Sequence, residues 1–373
     1  MEDYKDRKVI FTLALTVISL LCAFASLPRD HRLLSYINQS GQLKPVKTKA
    51  EWQIKRQQIL DSMESVMGPL PSMAGLPPMN IKMKGSVKGI DYTRYSIIFT
   101  VAEMEQLPAY LYIPNSASKF HKCPAIVALH PTGIKGKEIV DTQTSEYDCP
   151  YGKELAERGF IVIAPDYPSM GGLKSYNFKT SRYLSGTMKS IFDDMRCVDL
   201  LVARHDVDTN RIGVIGHSLG GHSAIFLGAF DTRIKVVVSS CGWTLFHYYL
   251  DGDSALAKKM GGTLWPWAQE RYMPLFRTKY HLDPENVPFD FDEAIAAIAP
   301  RAFFSNSPVY DHNFNVVGVV KGMEMISRVY KFLNAKNEIE VIHPLTVHSF
   351  PLGARRKAYN FIDGIFNFSP QKR

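Results

Sequence analysis

The stretch Arg211-Ile-Gly-Val-Ile-Gly-His-Ser-Leu-Gly-Gly221 constrains the fold more than any other part of this chain. An apolar strand runs into Gly216-His217-Ser218-Leu219-Gly220, and an apolar helix from His222 to Ala229 runs out. A strand-to-helix turn this short forces its central residue into strained backbone and lifts the side chain above the sheet. Gly216 and Gly220 suit the turn because a Cβ would clash there. The helix that follows aims backbone N–H groups and the positive end of its dipole at the Ser218 hydroxyl. Ser218 is therefore the candidate nucleophile; an idle serine in a glycine-rich turn is the plain alternative.

The same texture extends along the chain. From Pro124 onward, short apolar runs (Ala125–Leu129, Phe160–Ala164, Arg211–Ile215, Lys235–Ser239, Ala302–Ser305, Ile339–Ile342) alternate with helical stretches near 151–158, 187–205, 218–229, 319–334 and 353–366. Continuous apolar strands between helices predict an α/β fold with a mostly parallel sheet covered on both faces. Upstream, Thr48-Lys-Ala-Glu51 is a capping box that opens a helix running to about Met67. Tyr95–Thr100 and Ala109–Ile113 predict a hairpin. Between Cys241 and Pro300 the alternation is interrupted by a segment rich in Trp, Tyr and Phe. The chain thus reads as a helical extension (26–85) followed by one domain (86–373), with residues 241–300 as an insertion or cap. With 46% hydrophobic and 21% charged residues, it is neither a disordered polymer nor a low-complexity tail. The net charge of +8, from 44 basic and 36 acidic residues, is too modest and dispersed to imply a nucleic-acid partner.

Residues 1–8 are polar and carry three bases, Val9–Phe24 is apolar, and Ala23-Phe24-Ala25 is a small-residue cleavage pattern. This predicts a secretory leader cut after Ala25, an exported protein, and no stable membrane insertion once the leader is gone. An uncleaved N-terminal anchor is the alternative, although an apolar run of about 16 residues falls short of the ~20 needed to span a bilayer. After Cys22, four cysteines remain, too few for a disulfide framework, and no Cys/His spacing suggests a metal. No metal and no cofactor are expected. The oligomeric state is open.

A serine hydroxyl needs an imidazole base, and the imidazole needs a carboxylate to fix its tautomer. In strand–turn–helix serine sites the chain order is serine, acid, base. The base belongs on the loop after the last strand. His348 sits there, whereas His343 still continues the strand. The acid belongs after the preceding strand, where the loop Asn306–Asn313 holds one carboxylate, Asp311; Asp251 and Asp253 are rivals after the strand before. His217 is next to the nucleophile, but its side chain points away on such a turn. His222, one turn into the helix, reads as a core or wall residue. The Leu219 N–H is one oxyanion donor. The second is expected from the loop Leu129-His-Pro-Thr-Gly133, with Thr132 as the choice. His130 in that loop, and Trp243 and Trp265 in the insertion, are candidate substrate contacts.

Taken together, these residues resemble the α/β-hydrolase superfamily, within it the dienelactone-hydrolase-like and acetyl-xylan-esterase-like branch of exported bacterial proteins. The matching pieces include Met67-Gly-Pro-Leu-Pro71, Leu107-Pro-Ala-Tyr-Leu111, Gly136-Lys137, Ala164-Pro-Asp-Tyr-Pro168, Ser240-Cys-Gly-Trp243, Ile298-Ala-Pro-Arg301, Tyr310-Asp-His-Asn-Phe314 and His348-Ser-Phe-Pro351. The resemblance implies an α/β-hydrolase fold, Asp311 and His348 as acid and base, and ester hydrolysis through an acyl-enzyme, with an acylated or methyl-esterified polysaccharide as the substrate to test. Ser218 in place of cysteine argues against dienelactone chemistry. A prolyl-oligopeptidase-like peptidase shares the triad order, but about 100 residues ahead of the sheet cannot build the propeller such enzymes carry. A non-catalytic binding scaffold is the third reading, and it usually lacks a triad member.

Overall fold

The computed structural model describes residues 33–142, 149–250 and 254–370; the expected leader at 1–25, Asp251 and Asp253 lie outside them. A short antiparallel hairpin, β1 (Ser35–Ile37) and β2 (Leu43–Pro45), precedes helix α1 (Lys49–Met67). The capping box forms as expected: the Thr48 hydroxyl accepts from the Glu51 N–H at 3.2 Å, and the Glu51 carboxylate accepts from the Thr48 N–H at 2.8 Å. Three antiparallel strands follow, β3 (Lys82–Lys88), β4 (Tyr92–Ala102) and β5 (Glu105–Pro114). The expected hairpin is thus β4–β5. Strand β3 pairs outside it, and the expected boundary at 85/86 falls inside β3, so the extension contributes to the main sheet.

The parallel half alternates strand and helix: β6 (Cys123–Leu129), α2 (Tyr151–Glu157), β7 (Ile161–Pro165), α3 (Gly186–Val202), β8 (Val207–His217), α4 (Leu219–Phe230), β9 (Val236–Ser240), α5 (Phe291–Ala296), β10 (Ala302–Asn306), α6 (Val316–Phe332), β11 (Ile339–Ile342) and α7 (Leu352–Phe366). Among the described residues the main sheet has nine strands in the order β11-β10-β9-β8-β6-β7-β5-β4-β3. Strands β11 through β7 in that order run parallel, and β5 joins β7 antiparallel. No helix among the described residues is long and apolar enough to cross a membrane.

The period-two geometry of the strands explains why they read as unbroken apolar runs. Ala125, Val127, Ile161, Ile163 and Val214 face one layer, where α1, α3, α4, α5 and α6 supply the partners. Ile126, Ala128, Val162, Ala164 and Ile215 face the other, covered by α2 and α7. Each large apolar side chain buried this way contributes about 1.5–3 kcal/mol.

The N-terminal helix is locked to the segment after β9. Trp52 is fully buried on its inner face. Lys55, also buried, places Nζ 3.3 Å from the Glu293 carboxylate of α5. Arg56 donates from Nε to the Ala297 carbonyl at 2.8 Å. Glu293 in turn caps α5 by accepting from the Asp290 N–H at 3.3 Å, and Asp290 accepts from the Phe246 N–H at 3.1 Å. One chain of contacts therefore runs from α1 into the aromatic insertion. Removing the cation from a buried pair costs about 3 kcal/mol or more. Lys55→Ala should therefore lower the guanidinium-unfolding free energy by about that amount. Replacing both partners with apolar side chains should recover part of it; equal stability of wild type and Lys55→Ala would contradict this.

Candidate active site

The turn at Ser218 has the geometry its sequence implies. Ser218 sits at φ 56°, ψ −117°, outside the backbone regions that a non-glycine residue favours. It serves as the first boundary residue of α4. Its N–H donates to the Ser240 carbonyl of β9 at 2.8 Å. A Cβ on Gly220 would stand 1.9 Å from the Leu129 carbonyl oxygen, and one on Gly216 would stand 2.0 Å from that of Gly220. Only glycine allows α4 to start this close to the end of β6.

Above this turn the structure brings three of the expected residues together. The Ser218 hydroxyl lies 2.9 Å from His348 Nε2, and His348 Nδ1 lies 2.9 Å from Asp311 Oδ2. Asp311 hangs from the loop after β10 and His348 from the loop after β11. The Asp311 side chain is fully shielded, and its Oδ1 accepts from the N–H groups of Asn313 at 2.9 Å and Phe314 at 3.1 Å. With Oδ1 held by the backbone, Oδ2 is left to orient the imidazole. His348 is half-buried, with the Phe314 ring stacked at 5.8 Å between centroids and an interplanar angle of 20°. Cys241, Asp311 and His348 place Sγ, a carboxylate oxygen and a ring nitrogen within 4.8 Å of one another. Two of those three donor atoms are already engaged with each other in the His348–Asp311 hydrogen bond. The thiols of Cys123, Cys149, Cys197 and Cys241 are buried, and no disulfide joins any two of them.

Three other histidines nearby do not reach the Ser218 hydroxyl as His348 does. His217 turns away from Ser218 and places Nδ1 3.0 Å from the Ser240 hydroxyl. Burial, and then the neighbouring His348, hold its pKa well below the usual range. His222 is buried, and burial pulls its pKa down to about 3. His343 bonds the Ser307 carbonyl at 2.8 Å. His130 does not contact the cleft, which corrects the expectation that it touches substrate. Its Nε2 accepts from the Tyr167 N–H at 3.0 Å, so its proton is on Nδ1, which donates to the Pro131 carbonyl at 2.7 Å. Burial lowers its pKa as well. The bond fixes the Pro131–Thr132 peptide plane, with its carbonyl facing His130.

The cleft over Ser218 has a volume of about 320 Å³, and its walls include Thr132, Leu219, His222, Trp267, Tyr272 and Phe314. Gln269 and Asn313 add neutral polar groups, and no Lys, Arg, Asp or Glu is among its described lining residues. The Thr132 hydroxyl bonds the Tyr272 hydroxyl at 3.0 Å, tying the β6 loop to the insertion. Two tryptophan expectations are corrected. Trp243 is 1% exposed, donates from Nε1 to the Ser305 hydroxyl at 2.9 Å and packs on Gly322 of α6, so it is core. Trp265 is half-buried against the core and does not line the cleft. Trp267, two residues on, takes that place. Its aromatic neighbours gave no periodicity that would have singled it out.

Comparison with known proteins points the same way. Residues 187–334 match the family model described as glucuronyl esterase, fungi. The chain is 25% identical over 309 residues to the putative hydrolase YtaP of Bacillus subtilis, covering 80% of this chain and 95% of that protein. It is 26% identical over 182 residues to the carbohydrate esterase MZ0003 of an unknown prokaryotic organism, covering 46% of this chain and 40% of that one. A glucuronoyl esterase structure from Solibacter usitatus superposes with a TM-score of 0.69 at 19% identity, covering 91% of this chain and 98% of that one.

Buried neutral histidines give a pH prediction. In the unfolded chain each titrates near 6.5, whereas in the folded chain His130, His217 and His222 resist protonation. Below pH 6.5 the unfolded state therefore binds protons that the native state does not. The stabilisation is present above pH 6.5 and is lost as pH falls towards about 3, the folded value for His222. His222, which burial holds at about 3, contributes about 1.4 kcal/mol per pH unit in that window, and His130 and His217 add in the same direction. Chemical denaturation from pH 6.5 to 4.5 should show this decline, and His222→Gln should flatten it by about one site's worth. An unchanged slope in the variant would contradict the assignment.

Proposed function

We propose that this chain, with its α/β-hydrolase fold, is a serine carboxylic-ester hydrolase acting on esters of polysaccharides. The observation that carries this reading is the continuous hydrogen-bonded line from Ser218 Oγ through His348 to Asp311, at 2.9 Å for each bond, on a strained strand-to-helix turn. The esterases among its relatives support the reaction class. The match to the glucuronyl esterase model and the likeness to a carbohydrate esterase support the saccharide.

In this reading His348 Nε2 takes the Ser218 proton as Oγ attacks the ester carbonyl. The carbonyl oxygen becomes an oxyanion, which accepts from the Leu219 N–H at the start of α4 and from the Thr132 N–H of the β6 loop. The Leu219 N–H has no carbonyl of its own helix four residues back. The Thr132 N–H lies on the opposite edge of its peptide from the Pro131 carbonyl that His130 holds. His348 then returns the proton to the departing alcohol, leaving Ser218 acylated. Water, deprotonated by His348, attacks the acyl carbon and releases the acid and free Ser218. Asp311 stays ionised throughout and stabilises the imidazolium. Export through a leader ending at Ala25, with residues 26–85 as an extension, 86–373 as the catalytic domain and 241–300 as the wall of its cleft, completes the proposal.

The test is product analysis on glucuronate methyl ester, acetylated xylan and methyl-esterified pectin. Methanol or acetate should appear from at least one of them. Ser218→Ala should lower kcat/KM roughly a thousandfold or more, and Asp311→Asn should do the same by releasing the imidazole tautomer. Full turnover by Ser218→Ala would overturn the reading.

A further inference from the structure

The two oxyanion donors proposed above sit on different elements. Leu219 opens α4, and Thr132 belongs to the loop after β6. Such a pair is useful only if its N–H groups keep a fixed separation. The approach of Gly220 to Leu129 fixes where β6 ends. Thr132 lies further along the loop and needs support of its own. The loop after β7, residues 166–173, gives that support along the whole Thr132 loop. The Tyr167 N–H donates to His130 Nε2 at 3.0 Å, and the Gly171 N–H donates to the Ile134 carbonyl at 3.1 Å. The Asp166 carboxylate accepts from the Lys137 N–H at 2.9 Å and, within its own loop, from the Gly172 N–H at 2.8 Å. The Gly133 N–H donates to Met170 Sδ at 3.4 Å.

Met170 is where the two donors come under one control. Its side chain is buried and forms a small apolar cluster with Tyr167 and Leu219, apart from the two main core layers, with Tyr272 packed against it. That cluster contains the side chain of the first donor residue, and the Met170 sulfur holds the residue next to the second. The backbone leading into Met170 is strained: Ser169, not a glycine, sits in the left-handed region at φ 77°. The choice of side chain also fits both tasks. A thioether is apolar enough to bury beside Leu219, and its sulfur still accepts a hydrogen bond. Leucine would pack but leave the Gly133 N–H without its acceptor.

We infer that Met170 is a positioning residue of the oxyanion hole, setting the gap between the Leu219 and Thr132 N–H groups. The inference rests on the reading of Ser218 as the nucleophile of an ester hydrolase, and it adds what holds the hole in shape. Met170 is not among the described residues that line the cleft, so it acts through the two donors and not on substrate. Once the Gly133 bond is gone, the Thr132 loop is held by fewer contacts, and a small displacement of a donor is costly in the transition state.

The experiment separates positioning from folding. Met170→Leu keeps the volume and removes the acceptor, whereas Met170→Gln keeps an acceptor. Each is assayed on 4-nitrophenyl acetate and with trifluoroacetophenone as inhibitor. Ser218 Oγ adds to the ketone carbon, His348 takes the serine proton, and the ketone oxygen becomes an oxyanion in the same hole. Met170→Leu should lower kcat/KM by about tenfold and raise Ki for the ketone by a similar factor. Met170→Gln should recover part of both losses. A preparation that merely holds less folded enzyme loses rate with Ki unchanged. If Met170→Leu does not fold, Met170→Gln decides, and an unmoved Ki there overturns the inference. Wild-type kcat/KM in folded Met170→Leu, or a loss with an unmoved Ki, overturns it too and leaves the esterase reading intact. A wild type that neither hydrolyses 4-nitrophenyl acetate nor binds the ketone overturns the esterase reading and the positioning role with it.

Discussion

The approach of Gly220 to the Leu129 carbonyl is the contact on which the site depends. A side chain at position 220 would sit 1.9 Å from that oxygen, so α4 can begin here only with glycine. The contact joins the neighbouring parallel strands β8 and β6 at their C-terminal ends. It holds Ser218 in a backbone conformation that costs on the order of 1–3 kcal/mol. It also sets the distance between the Leu219 N–H and the Thr132 loop, because that loop is the continuation of β6. The Ser218 N–H bond to Ser240 fastens the turn to β9 on the other side. The loops after β10 and β11 then bring Asp311 and His348 over the same point. Strand order alone explains why a carboxylate and an imidazole separated by 37 positions meet.

Environment distinguishes the histidines. His348 is half-buried, faces Ser218 with one nitrogen and Asp311 with the other, and can cycle a proton. His130 and His217 are sealed in neutral form by burial and spend their nitrogens on Pro131, Tyr167 and Ser240. Their work is positional: His130 orients a peptide, and His217 braces the strand end beneath the triad. His222 is sealed too but bonds nothing among the described residues, which sets it apart from the other two.

The parts of this arrangement that were legible in the sequence share a cause. The strands are buried on both faces, so they appear as apolar runs, and the turn needs glycine at two fixed places. Asp311 and His348 follow from the loops after the last two strands. What was not legible depends on tertiary context. Strand β3 is exposed along its whole length, so Lys82–Lys88 carries no burial pattern to betray it. Lys55 reads as a surface residue of α1 until Glu293 is seen opposite. In the insertion Trp243, Trp265 and Trp267 are chemically alike. Only the fold decides that the first fills the core beside α6, the second leans on its edge and the third faces the cleft. His130 was drawn to the substrate by its place in the loop, yet its ring turns inward to hold the backbone.

The central claim is that Ser218 is an activated nucleophile, not a serine that happens to cap a helix. Labelling the folded protein with a fluorophosphonate and mapping the modified peptide tests it most directly, since phosphonylation requires both the activated hydroxyl and the oxyanion donors. The label should appear on Ser218 alone, stoichiometrically, and should be lost in His348→Ala with the fold retained. A folded protein that takes no label, or takes it on another residue, would contradict the claim.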